Sequence, residues 1–307
     1  MIANFFKKTK PIHAIFIGGI FVFFYLLSIF LIEKPEFSFL TVLLKFGFSI
    51  VFLILFFLIR FINRKNNLSG QDSYVLLSLA FLFGMFPKTM QLNDVFISHF
   101  LLLFAFRRTY SIQSLKSVKL KVFDSGFWIG IAALFYEWSS LFLILTIIAV
   151  IVYKKQEIRN SIIVLIGFIT PWFLFYTYCL VSEKMELFSN QLLIEYSFTF
   201  DNYSSLNVLV PLLSMSAYGL IAMGLTRLKI NSLTNDIRPS LNLLYGHIII
   251  AVTVLLFAPN KTGSEFIFAF LPLAVFSANL LQLVTHQKVR EVFVYLLVLV
   301  SLSAYIL

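Results

Sequence analysis

Charge is what this 307-residue sequence has least of: 12% of its residues are Asp, Glu, Lys or Arg, against 60% that are hydrophobic. Soluble domains carry about twice that charged share, so water is excluded as the main solvent of the chain. Cysteine is nearly absent. The single Cys179 excludes an internal disulfide and a thiolate metal cluster, and its place in an aromatic run makes it a packing residue. Histidine is scarce as well, with four in the chain. His13 and His286 lie near basic ends of apolar runs, whereas His99 and His247 lie inside two different runs, so the four do not supply one iron centre. The GxxxxGK[ST], HExxH, GxSxG and paired CxxC patterns are also missing, which counts against soluble-type nucleotide hydrolysis.

What the sequence does have is long apolar runs. A bilayer core about 30 Å thick is crossed by roughly 20 apolar residues rising 1.5 Å each. Such runs lie near 12–32, 37–59, 73–87, 92–106, 122–136, 138–153, 161–181, 206–226, 241–258, 265–284 and 291–307. Residues 51–58 show no period-two alternation, so a membrane barrel is excluded. The fold class expected is all-α: a polytopic transmembrane helical protein of about eleven spans, in a single transmembrane domain, 1–307. The runs between 73 and 153 are short for a full crossing and are expected to be tilted, re-entrant or buried in protein. Polar interruptions fall at 107–121, 182–205 and 227–240. The middle one mixes Met185, Leu187, Leu192, Leu193, Tyr196 and Phe198 with acids, as an amphipathic segment on the outer interface would.

Most of the 24 basic residues fall before the first run and in alternate connections, among them Lys7, Lys8, Arg60, Arg64, Arg107, Arg108, Lys119, Lys154, Arg227 and Arg290. The opposite connections hold only Lys34, Lys88, Lys184 and Lys261, and Lys45 lies within a run. Cytoplasmic loops retain positive charge, so the N-terminus is expected in the cytoplasm. The net charge of +10 then reflects topology and contact with anionic headgroups, and no nucleic-acid partner. The first run continues to Glu33-Lys34-Pro35 without a small-residue cleavage site, so it reads as a retained anchor.

An ionisable side chain inside a span costs about 2.5 to 3.5 kcal/mol on insertion scales, so each such residue needs a reason. Lys45 lies about 12 Å from the outer end of its run, and His99 lies at a similar depth in a run of the same direction. Together they are candidates to line one outward-opening cavity, binding an anionic substrate group or relaying a proton. The plainer alternative has Lys45 snorkelling to headgroups and His99 bonding a carbonyl. Acids collect in the outward turns: Glu33, Glu36, Asp94, Glu137, Glu183, Glu186, Glu195, Asp201 and Glu265. They suit a divalent metal, a metal-bound diphosphate or a base acting on a hydroxyl, although loops cleared of basic residues are acidic in any case. Asp94 follows Asn93 at a helix start, where capping also accounts for it, and Glu137 sits in the tight turn Tyr136-Glu137-Trp138-Ser139. Asp124 is expected to cap the fifth run, Gly126 and Gly130 to admit another helix of the same chain, and Pro171 to kink its run. Trp128, Trp138 and Trp172 suit interfacial belts, and Asn260-Lys261-Thr262 is a glycosylation sequon.

The stretch from Asp94 to Pro171 contains His99-Phe100-Leu101-Leu102-Leu103, Arg107-Arg108, Phe123-Asp124-Ser125-Gly126-Phe127, Gly130-Ile131-Ala132-Ala133-Leu134-Phe135-Tyr136 and Gly167-Phe168. On these residues it resembles an uncharacterised family of bacterial multi-pass membrane proteins. Its helix order is similar to that of the GT-C glycosyltransferases, in which a span, a basic loop and a glycine-containing span precede a tight outer turn. That resemblance implies transfer of a sugar from a polyprenyl-phosphate donor at the outer face. The first-loop acid that activates the acceptor would be Glu33 or Glu36, and Glu137 would be a metal ligand. This loop is only a few residues long and leaves no room for the juxtamembrane helices usual in that superfamily. Two other functions remain open: a transporter or lipid-handling protein built on Lys45 and His99, and a non-catalytic subunit packing against other envelope proteins.

Overall fold

A computed structural model describes residues 2–36, 38–114, 116–153, 158–230, 237–259 and 261–307; the sequon at Asn260 lies outside the described residues. Every regular element among them is helical: α1 (Ile2–Phe5), α2 (Pro11–Leu27), α3 (Phe39–Lys65), α4 (Tyr74–Met85), α5 (Asp94–Tyr110), α6 (Val118–Phe135), α7 (Phe142–Val152), α8 (Ile158–Val181), α9 (Met185–Gln191), α10 (Leu206–Ile230), α11 (Arg238–Phe257), α12 (Phe270–Leu283) and α13 (Gln287–Ile306), with short 3-10 or π turns between some of them. Among the described residues, eight helices are long and apolar enough to cross a membrane, as a multi-pass membrane protein requires. The helices Tyr74–Met85 and Glu137–Val152 are apolar but shorter, and α6 carries Lys119, Lys121 and Asp124 within its 18 residues.

The chain forms two compact units: Met1–Gln91, Phe200–Leu233 and Lys261–Leu307 make the first, Leu92–Thr199 and Thr234–Asn260 the second. In the first, the short α4 packs against α2, α12 and α13, and every one of its residues but Leu76 is buried. A helix enclosed by protein need not reach the lipid headgroups, which accounts for its 12 residues where a lipid-facing span needs about 20. Phe83 on α4 meets Phe21, Phe52, Phe56 and Phe270 edge-on or stacked, with ring centroids 5.0 to 5.8 Å apart. Such pairs add to the area they bury.

The second unit is organised by the seam between α6 and α8. A Cβ placed on Gly126 would lie 2.2 Å from the Val164 carbonyl oxygen, one on Gly130 2.5 Å from that of Phe168, and one on Gly167 2.4 Å from that of Phe123. The glycine pair in α6 thus serves an internal contact, as its spacing implies, and Gly167 answers it from α8. Without side chains the two backbones approach to a distance no other residue permits. Cys179, on α8, is fully buried, as a packing residue is.

Two local expectations need correction. The residue capping α5 is Asn93, whose side chain accepts from Phe96 N at 2.8 Å, while Asp94 stands in the first turn facing the helix dipole. Asp124 is no cap: α6 begins at Val118, and Asp124 sits within it, paired with Arg108 at 2.9 Å. Part of the 182–205 segment is helical, Met185–Gln191 as an α-helix and Asp201–Tyr203 as a 3-10 turn; residues 193–200 have no regular structure. Their backbone is held by Ser197 N donating to Phe257 O at 3.1 Å and by Trp138 Nε1 donating to Glu195 O at 3.0 Å.

Candidate functional site

In the first unit, the helix begun by α2 widens over Ser28–Glu33 into a π turn and stops at Lys34, whose φ of 45° is left-handed. A wide turn rotates the residues that follow it, and here it brings Glu33 against Lys45 of α3 in an ion pair. The Lys45 side chain is 27% exposed and that of Glu33 10%, and Tyr25 donates its hydroxyl to the Lys45 carbonyl at 3.1 Å. Lys45 therefore meets a carboxylate from the preceding helix, which explains a lysine tolerated inside a span. Glu36 is exposed on the short link to α3. Replacing Lys45 with Met leaves Glu33 half-buried and uncompensated. We expect a loss of about 2 kcal/mol, less than a fully buried pair because water reaches Lys45. Thermal unfolding in detergent checks it, and the exchanged pair Glu33→Lys with Lys45→Glu should recover most of the loss.

The second unit holds the other candidates. Asp94 is exposed at the head of α5, and Glu137 is half-buried at the start of the 3-10 turn Glu137–Leu141. Just inside them the Ser98 and Ser139 hydroxyls share a hydrogen bond. Lys45 belongs to one unit, and His99 and His247 to the other. Both imidazoles are completely buried. His247 Nδ1 lies 3.2 Å from the Tyr110 hydroxyl, and its ring packs on Phe106 and Phe142.

Further polar groups continue toward the far end of α5. Thr109, Ser125 and Thr146, from α5, α6 and α7, close a triangle of hydroxyls at 2.6, 2.8 and 3.1 Å. Beyond it the Tyr153 hydroxyl meets Ser240 at 3.0 Å, and Ser240 donates to Gln113 at 3.1 Å. Lys121 reaches Ser111 O and Ser114 Oγ, each at 2.6 Å. Buried polar groups are expensive unless hydrogen-bonded; here the Thr109, Ser125 and Thr146 hydroxyls bond to one another across α5, α6 and α7, and Tyr110 of α5 meets His247 of α11. No local spacing announces this: Thr109, Ser125, Thr146 and His247 come from separate runs and meet only in the packed unit.

A second feature without a sequence signature is Glu265, which is 1% exposed in the first unit. Its carboxylate accepts from Thr262 N at 3.2 Å, Thr262 Oγ1 at 3.1 Å, Gly263 N at 2.8 Å and the Tyr203 hydroxyl at 3.4 Å. Burial first, and the Glu265 charge second, raise the Tyr203 hydroxyl well above the usual phenol range. Lys261, also buried, holds its ammonium 4.6 Å from the centre of the Phe200 ring, a cation–π contact. Among the described residues no three His, Cys, Asp or Glu side chains group as metal ligands. No family model, curated protein or solved structure matches the chain.

Proposed function

We propose that the protein is a transporter of the bacterial inner membrane, with its N-terminus in the cytoplasm and about eleven crossings. In this reading the second unit passes protons along its buried imidazoles and hydroxyls. The observation that carries the proposal is the pair His99 and His247, fully buried inside helices apolar enough to span a bilayer. Ionisable groups at such depth are costly and are retained at ion and proton pathways. Imidazole is the side chain whose ordinary proton affinity lies nearest physiological pH. Tyr110 and the Thr109, Ser125 and Thr146 hydroxyls can each donate and accept, as a relay needs. The three shorter or more charged helices, α4, α6 and α7, complete the eleven crossings with the eight long ones.

Sugar transfer from a polyprenyl phosphate is less well supported. The acid nominated as its base, Glu33, is neutralised by Lys45, and Glu36 is solvent-exposed on a short link.

The test is proton flux into vesicles holding the purified chain and a pH-sensitive dye, driven by an imposed potassium gradient. The wild type should exceed empty vesicles, and His247→Phe, which preserves the ring packing, should lower flux by about tenfold. Flux equal to that of empty vesicles overturns the proposal. Consumption of a polyprenyl-phosphate sugar, lost on Glu137→Gln, would replace it with the enzyme reading.

A further inference from the structure

At the basic end of the first unit, the start of α2, the last two turns of α3 and the start of α4 enclose a polar cleft. It is lined by Lys10, Arg60, Asn63, Arg64, Asp72 and Ser73, among others. Arg60 and Arg64 stand one helical turn apart, so their like charges repel on one face, and among the described residues neither makes an ion pair, nor does Lys10. The acid that faces them, Asp72, is already engaged: its oxygens accept from Tyr74 N at 3.0 Å and from the Gln282 amide. Burial pushes its carboxyl up to about 7 against the pull of those bonds and of Arg64, so near neutral pH it is only partly charged and a weak counter-ion. His13, on α2, is buried with its Nδ1 3.3 Å from Ser73 Oγ.

Two further observations point to a ligand. The N-terminus of α4, a 12-residue helix, opens on the cleft and favours negative charge there. Asn63 is 4% exposed, yet its Oδ1 has no hydrogen-bond partner while its Nδ2 donates to Ser69 at 2.9 Å. The enclosed part of the cleft measures about 10 Å³, room for one oxygen atom and no more. An anion must therefore lie at the mouth, among the long basic side chains, and send a single oxygen inward.

We propose that this cleft binds an anionic phosphate ester bearing a hydroxyl group. Arg60, Arg64 and Lys10 hold the phosphate oxygens, and the hydroxyl enters the enclosed space to donate to Asn63 Oδ1. Arginine pairs suit phosphate because their planar forks donate to two oxygens at once. The ester is either the headgroup of a membrane phospholipid or a soluble phosphate ester.

Native mass spectrometry of the full chain in detergent tests this with phosphatidylglycerol, phosphatidylmethanol and phosphatidylcholine. Wild type should retain phosphatidylglycerol over phosphatidylcholine by about tenfold, and Arg60→Gln with Arg64→Gln should remove that preference. Lys7→Gln with Lys8→Gln, which removes equal charge from exposed residues outside the cleft, should leave it. Asn63→Leu should abolish the preference for phosphatidylglycerol over phosphatidylmethanol, which lacks the hydroxyl. If the double arginine variant melts far below wild type without lipid, the exposed Arg64→Gln alone carries the test. Displacement of the lipid by millimolar glycerol 3-phosphate identifies a soluble ester as occupant, and its failure to displace identifies the lipid. Absence of any phosphatidylglycerol preference, or equal losses in the lysine and arginine variants, overturns the proposal.

Discussion

Gly167→Ala is expected to cost about 3 kcal/mol, and Gly167→Leu more, at the upper end of what overpacking a close-packed interior costs. The added Cβ would lie 2.4 Å from the Phe123 carbonyl oxygen and 3.1 Å from the Phe127 nitrogen. Both are backbone atoms of α6, so no rotamer change relieves the clash, and the helices must part along the seam. Parting also loosens the contacts at Gly126 and Gly130. Lipid supplies little hydrophobic drive to close them again, because acyl chains are as apolar as leucine and close packing is what holds membrane helices together. Thermal unfolding monitored by size-exclusion in detergent should show the loss. The control is Gly47→Ala, on an exposed face of α3 with nothing within 4 Å of the added carbon, which should gain a few tenths of a kcal/mol from helix propensity. Equal midpoints for the Gly167 and Gly47 variants would mean that the seam does not hold the unit together.

Glu265→Ala should be comparably damaging, by about 3 to 5 kcal/mol, since it strands the donors of Thr262, Gly263 and Tyr203 in a buried place. Lys261, 3% exposed beside it, supplies a direct readout. In the wild type trypsin should not cut after Lys261; in the Ala variant the turn loses its anchor and the cut should appear. Glu265→Gln keeps the shape and one acceptor oxygen, so it should lose less than half as much and stay resistant. An Ala variant as resistant as wild type would show that the turn is held by the Phe200 and Tyr203 rings rather than by the carboxylate.

The helical class and most of the helices are legible in the sequence because a bilayer imposes one coarse rule, about 20 apolar residues per crossing. The Gly126 and Gly130 contact is legible for a similar reason: small residues spaced four apart have one common use in membrane helices. Polar positions are not legible in the same way. Lys45 finds Glu33 because a π turn, which leaves no compositional mark, redirects the end of the preceding helix. Asp124 looks like a cap from its neighbours, but Arg108, sixteen residues earlier, draws it into an ion pair within the helix. The histidines illustrate the limit most directly. His99 and His247 are each visible as a histidine within an apolar run, while the meeting of His247 with Tyr110 and that of the three hydroxyls come only from tertiary packing, which no window of sequence reports.

The charged character of α6 bears on how the protein is made. With Lys119 and Lys121 at its head and Asp124 within it, α6 offers only a short uncharged stretch to a bilayer and is a poor candidate to enter one alone. Its seam partner α8 is synthesised later, after α7. Until α8 arrives, the glycine face of α6 has no counterpart, and the hydroxyls of Ser125 and Thr146 are satisfied only if α5 and α7 are already beside it. If α6 and α7 cross as proposed above, the translocation machinery has to hold α5, α6 and α7 together and release them as a group once α8 has emerged. Truncation of the nascent chain between α7 and α8 should leave α6 the first segment to slip back into water.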